Sequence, residues 1–271
     1  MRNLTATLCL TLAVLLGSAG MSVSQDFQMG LDAAERGDYA IALREWTPLA
    51  ERGVPGAQYN LGRMYVNGWG VPQDYKTAAK WFTLAAEQGY AEAQFNLGVM
   101  YNNGEGVPQD YKTAVKWFTL AAEQGNEYAQ YNLGERYYDG DGVPQDDKTA
   151  VKWFTLAAEQ GYAFAQINLG LMYEYGEGVP QDYKTAVKWY TLAAEQGNAS
   201  AQYNLGLMSY DGDGVPQDYV YAHMWGNIAA SNGNENGAKL RDLVAERMTP
   251  SQIERAQDLA RECVRKNYKG C

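Results

Sequence analysis

Across residues 75–88, the apolar side chains Ala78, Trp81, Phe82, Ala85 and Ala86 fall at i, i+3, i+4, i+7 and i+8. Lys76, Lys80, Glu87 and Gln88 fall off that line. This spacing predicts an amphipathic helix with one buried stripe. Asp74, after Pro72, stands as its N-cap, and Gly89 as the residue that stops it. A second pattern over residues 91–101 places Ala93, Leu97, Met100 and Tyr101 on one face, with Gly98 in the middle. Glycine there costs up to about 1 kcal/mol relative to alanine, so we read it as a point where neighbouring backbones touch. Between the two patterns, stretches such as 103–106 predict turns with positive φ.

The pair of patterns then repeats. Ala57-Gln58-Tyr59-Asn60-Leu61-Gly62 returns at 93–98, 129–134, 165–170 and 201–206, and Gly70-Val71-Pro72-Gln73-Asp74 returns at 106–110, 142–146, 178–182 and 214–218. A 36-residue period without insertion predicts an all-α fold, a right-handed α/α solenoid of two-helix repeats, in which each unit packs on its neighbours. Gly62, Gly98, Gly134, Gly170 and Gly206 are the mid-helix glycines of the five copies. Trp81, Trp117, Trp153, Trp189 and Trp225 recur on the stripe and are expected in the core. After Gly233 the period ends. A helix is expected over 238–248, and Thr249-Pro250-Ser251-Gln252 carries the start signals of another, with Thr249 as N-cap, Pro250 at N1 and Gln252 closing a capping box. Such helices suit a C-terminal cap over the last repeat.

The first residues stand apart. Arg2, an apolar run over 8–16 and the small residues Gly17, Ser18, Ala19 and Gly20 predict an export signal, with Ser22-Val23-Ser24 as an alternative cleavage zone. The run is shorter than the roughly 20 apolar residues of a membrane span, although an uncleaved amino-terminal anchor is the other reading. Cys9 lies inside the run, away from any cleavage junction, which argues against a lipid anchor. The expected location is periplasmic or secreted. There Cys263 and Cys271, the two cysteines left after the signal, are expected to form a disulfide that closes a small terminal loop. With 22 Lys and Arg against 32 Asp and Glu, the net charge of −10 disfavours nucleic acid and anionic lipid as partners.

Ala-Gln-x-Asn-Leu-Gly-x-Met-Tyr, then Gly-x-Gly-Val-Pro-Gln-Asp-Tyr, then Ala-x-x-Trp-Phe-x-x-Ala-Ala-Glu-Gln-Gly resembles the Sel-one-like repeat, a relative of the tetratricopeptide repeat. The likeness covers about residues 27 to 236. It divides the chain into a signal peptide (1–24), a partial leading repeat (25–56), five repeats (57–236) and capping helices (237–271). In the leading unit, Gly37-Asp38-Tyr39 and the stretch 42–46 mimic a second helix. The resemblance implies an exported scaffold or adaptor that binds a protein or peptide, with first helices lining a concave face. It also leaves room for a hydrolase of β-lactam or cell-wall type, or for a secreted effector acting on a host. The cysteine-rich branch of the family behind the hydrolase reading staples its repeats with paired cysteines, and this chain has none inside its repeats.

Where repeats are nearly identical, the positions that vary are informative. On the first helices these form the triplets Tyr59, Arg63, Val66; Phe95, Val99, Asn102; Tyr131, Glu135, Tyr138; Ile167, Leu171, Glu174; and Tyr203, Leu207, Tyr210. The first member of each is read as core between repeats. The other ten residues, Arg63, Val66, Val99, Asn102, Glu135, Tyr138, Leu171, Glu174, Leu207 and Tyr210, are the expected partner-binding set, because aromatic and aliphatic residues interleaved with single charges suit a peptide groove. Trp69 replaces the Glu105, Asp141, Glu177 and Asp213 of the other loops. It is read as exposed and as marking an edge of that surface.

Chemistry finds less support. The Asp139-Gly140-Asp141-Gly142 and Asp211-Gly212-Asp213-Gly214 loops lack the third oxygen ligand and the turn glycine of a calcium loop, since Val143 and Pro144, or Val215 and Pro216, stand there. The single histidine, His223, allows no His-pair metal site and no triad built from several histidines. The Glu-Gln pairs such as Glu123-Gln124 repeat identically at helix ends, as structural positions do. No phosphate cradle and no Gly-x-Ser-x-Gly elbow is present. No metal, cofactor or catalytic residue is therefore assigned.

Overall fold

The computed structural model describes residues 23–271. The export signal read over 1–24, with its apolar run and Cys9, lies outside the described residues except for its last two positions. The described residues are all-α, with helices and turns and no strand, and they divide into two units, one ending at Gln124 and one spanning Gly125–Cys271.

The first unit holds α1 (residues 23–35), α2 (Tyr39–Glu51), α3 (Pro55–Asn67), α4 (Tyr75–Glu87), α5 (Ala91–Asn103) and α6 (Tyr111–Glu123). The second holds α7 (Glu127–Asp139), α8 (Asp147–Glu159), α9 (Ala163–Tyr175), α10 (Tyr183–Ala194), α11 (Ala199–Asp211), α12 (Tyr219–Ser231), α13 (Glu235–Ala245) and α14 (Pro250–Arg265). Within each unit, successive helices pair as hairpins and the hairpins stack in the manner of an α-solenoid. The expected N-caps are in place. Asp74, Asp110, Asp146, Asp182 and Asp218 each accept two backbone N–H groups of the first turn. A threonine hydroxyl adds a third bond at the first four, and it is the largest of the effects that hold those carboxyls below the usual carboxylate range.

The structure corrects two readings of the core. The tryptophans Trp81, Trp117, Trp153 and Trp189 are only half-buried, and Trp225 alone is buried. The next residue along, Phe82, Phe118, Phe154 or Tyr190, is the one fully enclosed. The mid-helix glycines explain why. A Cβ on Gly134 would lie 2.6 Å from the Phe154 ring, and one on Gly170 would lie 2.5 Å from Tyr190. The first helix thus lacks a side chain to admit an aromatic ring rather than another backbone, and burying that ring, worth about 1.5–3 kcal/mol, offsets the roughly 1 kcal/mol helical cost of glycine. In the first four copies the close approach of backbones falls in the loop instead, where a Cβ on Gly106 would stand 2.2 Å from the Tyr75 carbonyl oxygen, and Gly206 alone also faces backbone, that of Ala222 and Gly226 at 3.4 Å.

A second device is polar. Gln58 is buried, and its amide donates to the Ala50 carbonyl at the end of α2, while its Oε1 accepts from the Gln88 amide. The same arrangement joins Gln94 to Ala86 and Gln124, and Gln166 to Ala158 and Gln196. Gln202 bonds to Ala194 and accepts from Asn232 in place of a glutamine. The repeated Ala-Gln and Glu-Gln-Gly segments therefore satisfy a helix C-terminus and tie the hairpins together.

Both ends depart from the period. Residues 23–51 form two helices, with only residues 36–38 between α1 and α2 against 68–74 between α3 and α4. Gly30 faces Trp46 there as Gly62 faces Phe82. At the other end α13 packs on α12, where Gly226 and Gly237 let the two helices meet. The capping box of Thr249 and Gln252 opens α14, which packs on α12. Cys263 and Cys271 are joined by a disulfide with Cα atoms 5.5 Å apart. The closed tail folds back, with the Gly270 N–H donating to Glu195 and the Tyr268 hydroxyl to Asn232.

Candidate functional site

In the first unit, Arg63 projects from α3 into solvent with its guanidinium 5.7 Å from the Tyr59 ring and 5.5 Å from the Trp69 ring. Trp69 differs from its expected place. It is half-buried, stacked on Tyr39 at 5.3 Å and 6°, because the start of α2 presents an aromatic face to this loop. Together they wall a hollow of about 290 Å³ with Leu31, Glu35 and Asn60. Val66 packs against the core of α4 and α5. Val99 and Asn102 lie half-buried on α5, and the Asn102 amide donates to Asn103. Tyr59, the core member of its triplet, leans on Phe82 at 5.8 Å, and burial raises its hydroxyl pKa.

In the second unit, tyrosines hold the expected acidic residues. The Tyr131 hydroxyl donates to Glu135 at 2.6 Å, and Tyr190, whose ring is buried against Gly170, donates to Glu174 at 2.6 Å. Burial first, and then these carboxylates, push both phenols far above their ordinary value, so both stay protonated as donors. Tyr138 is exposed and donates to Glu177 in the next repeat at 3.0 Å. This bond is the main cause that raises its pKa. Leu171 lies between them, lining a small hollow of about 90 Å³ with Phe154, Asn168 and Met172. Leu207 and Tyr210 are covered by the chain's own cap: both pack on the cluster of Ala222, Leu240 and Val244, and the Arg247 guanidinium lies 5.2 Å over the Tyr210 ring. The surface facing solvent in this unit thus centres on α7 and α9.

The sequence reasoning missed an aromatic cluster on those helices. Tyr131 and Tyr162 meet edge to face at 5.1 Å, Tyr128 meets Tyr162 at 5.3 Å, and Phe164 lies 5.7 Å from Tyr162. Phe164 is 54% exposed and Tyr128 46%. A signal for it existed, since Gly56, Glu92, Tyr128, Phe164 and Ser200 occupy one position of the repeat and share no chemistry. Tyr175, at the far end of α9, is also exposed, and the neighbouring Glu174 carboxylate raises its pKa.

The acidic loop at 139–142 is closed from within, because Arg136 reaches Asp141 at 3.0 Å and Asp139 at 3.9 Å. Among the described residues, no group of three or more His, Cys, Asp and Glu side chains is placed to hold a metal ion. No helix among them is long and apolar enough to cross a membrane.

Five consecutive segments, 55–90, 91–126, 127–162, 163–198 and 199–234, match the Sel1 repeat family model. No match was found among curated proteins. Among solved structures, a Sel1 repeat protein from Oxalobacter formigenes is 32% identical over 87% of this chain and 96% of its own, with a TM-score of 0.75. A protective antigen present in uropathogenic Escherichia coli strains, displaying an SLR fold, is 28% identical over 91% of this chain and 70% of its own, with a TM-score of 0.44. An immunity protein from Pseudomonas aeruginosa is 22% identical over 78% of this chain and 83% of its own, with a TM-score of 0.47. The glycine–aromatic contacts recur at the spacing of the first four of those segments and the glutamine bonds keep the same step, and the chain belongs to the Sel1 repeat family.

Proposed function

We propose that this chain is an exported scaffold that binds a protein or peptide partner through the solvent-facing side of its first helices. Sel1 repeat proteins are in general protein-interaction scaffolds, and the fold is typically non-enzymatic. The observation that carries the reading is the aromatic cluster in which the half-buried Tyr131 and Tyr162 support the exposed Tyr128 and Phe164, at positions where the first helices vary between repeats. Clustered exposed aromatics on a rigid scaffold are the side chains that concentrate binding energy at interfaces. Glu135, Tyr138, Leu171 and Glu174 extend the same side of the second unit and are its further contact residues. In the first unit, Arg63 over Tyr59 and Trp69, with Val66, Val99 and Asn102, makes the corresponding surface. The charged, apolar and small-residue order of the first 24 residues supports a periplasmic or secreted location.

The test joins both parts. Amino-terminal sequencing of protein recovered from the envelope or medium is expected to begin near Gly20 or Ser24, and an intact Met1 there would refute export with cleavage. Crosslinked capture from that fraction, followed by titration of the purified captured protein, is expected to give an affinity that falls at least about tenfold on Phe164→Ala with Tyr138→Ala. Equal affinity for wild type and variant would move the contact surface elsewhere.

A further inference from the structure

Ser209 breaks the repeat at a position that is tyrosine in every preceding copy: Tyr65, Tyr101, Tyr137 and Tyr173. The equivalence is structural as well as numerical. The backbone carbonyl of each of these five residues accepts the N–H of the aspartate that caps the following helix, at 2.8–2.9 Å. Tyr65 and Tyr101 pack on the core of the first unit, and Tyr137 and Tyr173 on that of the second. Where Ser209 stands, the ring is missing, and an open cavity of about 390 Å³ lies there instead.

The cavity walls are mainly apolar, with Thr191, Glu195, Gln217 and Asp218 as polar lining. Val187, Leu205, Met208, Val215, Tyr221 and Trp225 line it, while the disulfide-closed tail forms a rim through Tyr268 and Cys271. Its size lies within the usual range of about 300–1,000 Å³ for ligand sites. Ser209 adds no unsatisfied polar atom, since its hydroxyl donates to the Leu205 carbonyl at 2.8 Å. Tyr221, which replaces the threonine of the other copies, lines the wall and leaves the space open.

We propose that this cavity seats the aromatic side chain of a bound partner polypeptide, a ring that takes the place of the missing tyrosine. The four filled copies show that the surrounding framework of second helices and Pro-containing loop accepts such a ring. The rim formed by the tail gives the opening a fixed edge, because Glu195 and Asn232 hold it to α10 and the end of α12. The inference rests on the scaffold reading and assigns that scaffold a second, separate contact at its carboxyl-terminal end.

The test uses the full mature chain with methyl-labelled methionine, titrated with 4-methylphenol and with N-acetyl-tyrosine amide while the Met208 methyl resonance is followed. Both probes are expected to shift it saturably with a dissociation constant on the order of 1 mM, as suits so few atoms. Ser209→Tyr is expected to weaken both at least about tenfold. The double variant Ser209→Tyr with Tyr221→Thr, which restores the side chains of the filled copies, is expected to do the same should the single one fold poorly. No saturable shift, or equal shifts in wild type and variants, overturns the proposal. Binding of 4-methylphenol without the blocked tyrosine would show a site for free small aromatics and overturn the polypeptide source. A silent Met208 beside a partner lost on Phe164→Ala would sink the cavity and leave the scaffold reading standing.

Discussion

The last repeat differs from the four before it at several inward-facing places, and the clearest of these changes match what comes next in the chain. Where the earlier copies have Phe82, Phe118, Phe154 and Tyr190, it has Gly226. Leu240 of α13 fills the space: a Cβ on Gly206 would meet Leu240 at 2.8 Å, where the other mid-helix glycines meet an aromatic ring. Where they have Ala79, Val115, Val151 and Val187, it has the buried His223. Ser209 and Tyr221 replace tyrosine and threonine. Outside, Leu84, Leu120, Leu156 and Leu192 are exposed, while the equivalent Ile228 is buried with Ala260 and Cys263 of α14. A repeat followed by another repeat keeps its own ring and leaves its outer leucine in water. The terminal repeat gives up the ring and is covered by a cap of different sequence, which is how an array ends without an open apolar face.

The largest effect expected from this contrast lies in the interior copies. Phe154→Ala should cost about 3–5 kcal/mol, because it empties the space held open by Gly134. Trp153→Ala should cost only roughly 1–2 kcal/mol despite the larger side chain, since Trp153 is half-buried. Denaturant melts of the two variants check this directly. A larger loss for Trp153 would return the core to the tryptophan series.

Leu240→Ala applies the same logic to the terminal copy. It is expected to destabilise by about 2–4 kcal/mol, and to do so locally, with hydrogen exchange rising in α12 and α13 ahead of α8 and α9. Uniform loss of protection along the second unit would mean that the cap is not a separate cooperative element.

The period made the helices, their aspartate caps and the turn glycines legible in the sequence, because each rests on local chemistry repeated five times, while the capping box of α14 was legible from its own start signals alone. The choice between Trp153 and Phe154 was not legible. Adjacent helical positions lie about 100° apart and both fit a broad apolar stripe, so only the partner across the hairpin, Gly134, decides which is enclosed. The leading hairpin was half hidden because four residues are missing from its loop, which moves Gly30 off the 36-residue register. On the candidate surface, variation pointed to Tyr138 and Leu171. It could not show that Glu174 serves the Tyr190 hydroxyl, although the coincidence of the chain's one tyrosine at that aromatic position with an acid sixteen residues earlier was a usable signal. Tyr210 was read as open because the cap that brings Arg247 over it has no counterpart in the repeat.

The smallest expected effect is a pH dependence confined to the terminal copy. His223 is 3% exposed, and among the described residues its Nδ1 has no hydrogen-bond partner. Burial, and then the Arg241 guanidinium of α13, lower its pKa below the ordinary 6.5, with Asp242 opposing. The unfolded chain therefore takes up a proton near pH 6.5 while the folded chain resists it. Stability from this residue is complete above that pH and is lost as pH falls toward the lowered folded value. Thermal melts from pH 8 to pH 5.5 should show a fall in Tm that is smaller in His223→Val, the residue that Val187 supplies one repeat earlier. If the variant falls as steeply as the wild type, the acid sensitivity belongs to other groups, and the histidine is a packing residue whose neutral form merely fills the space against α13.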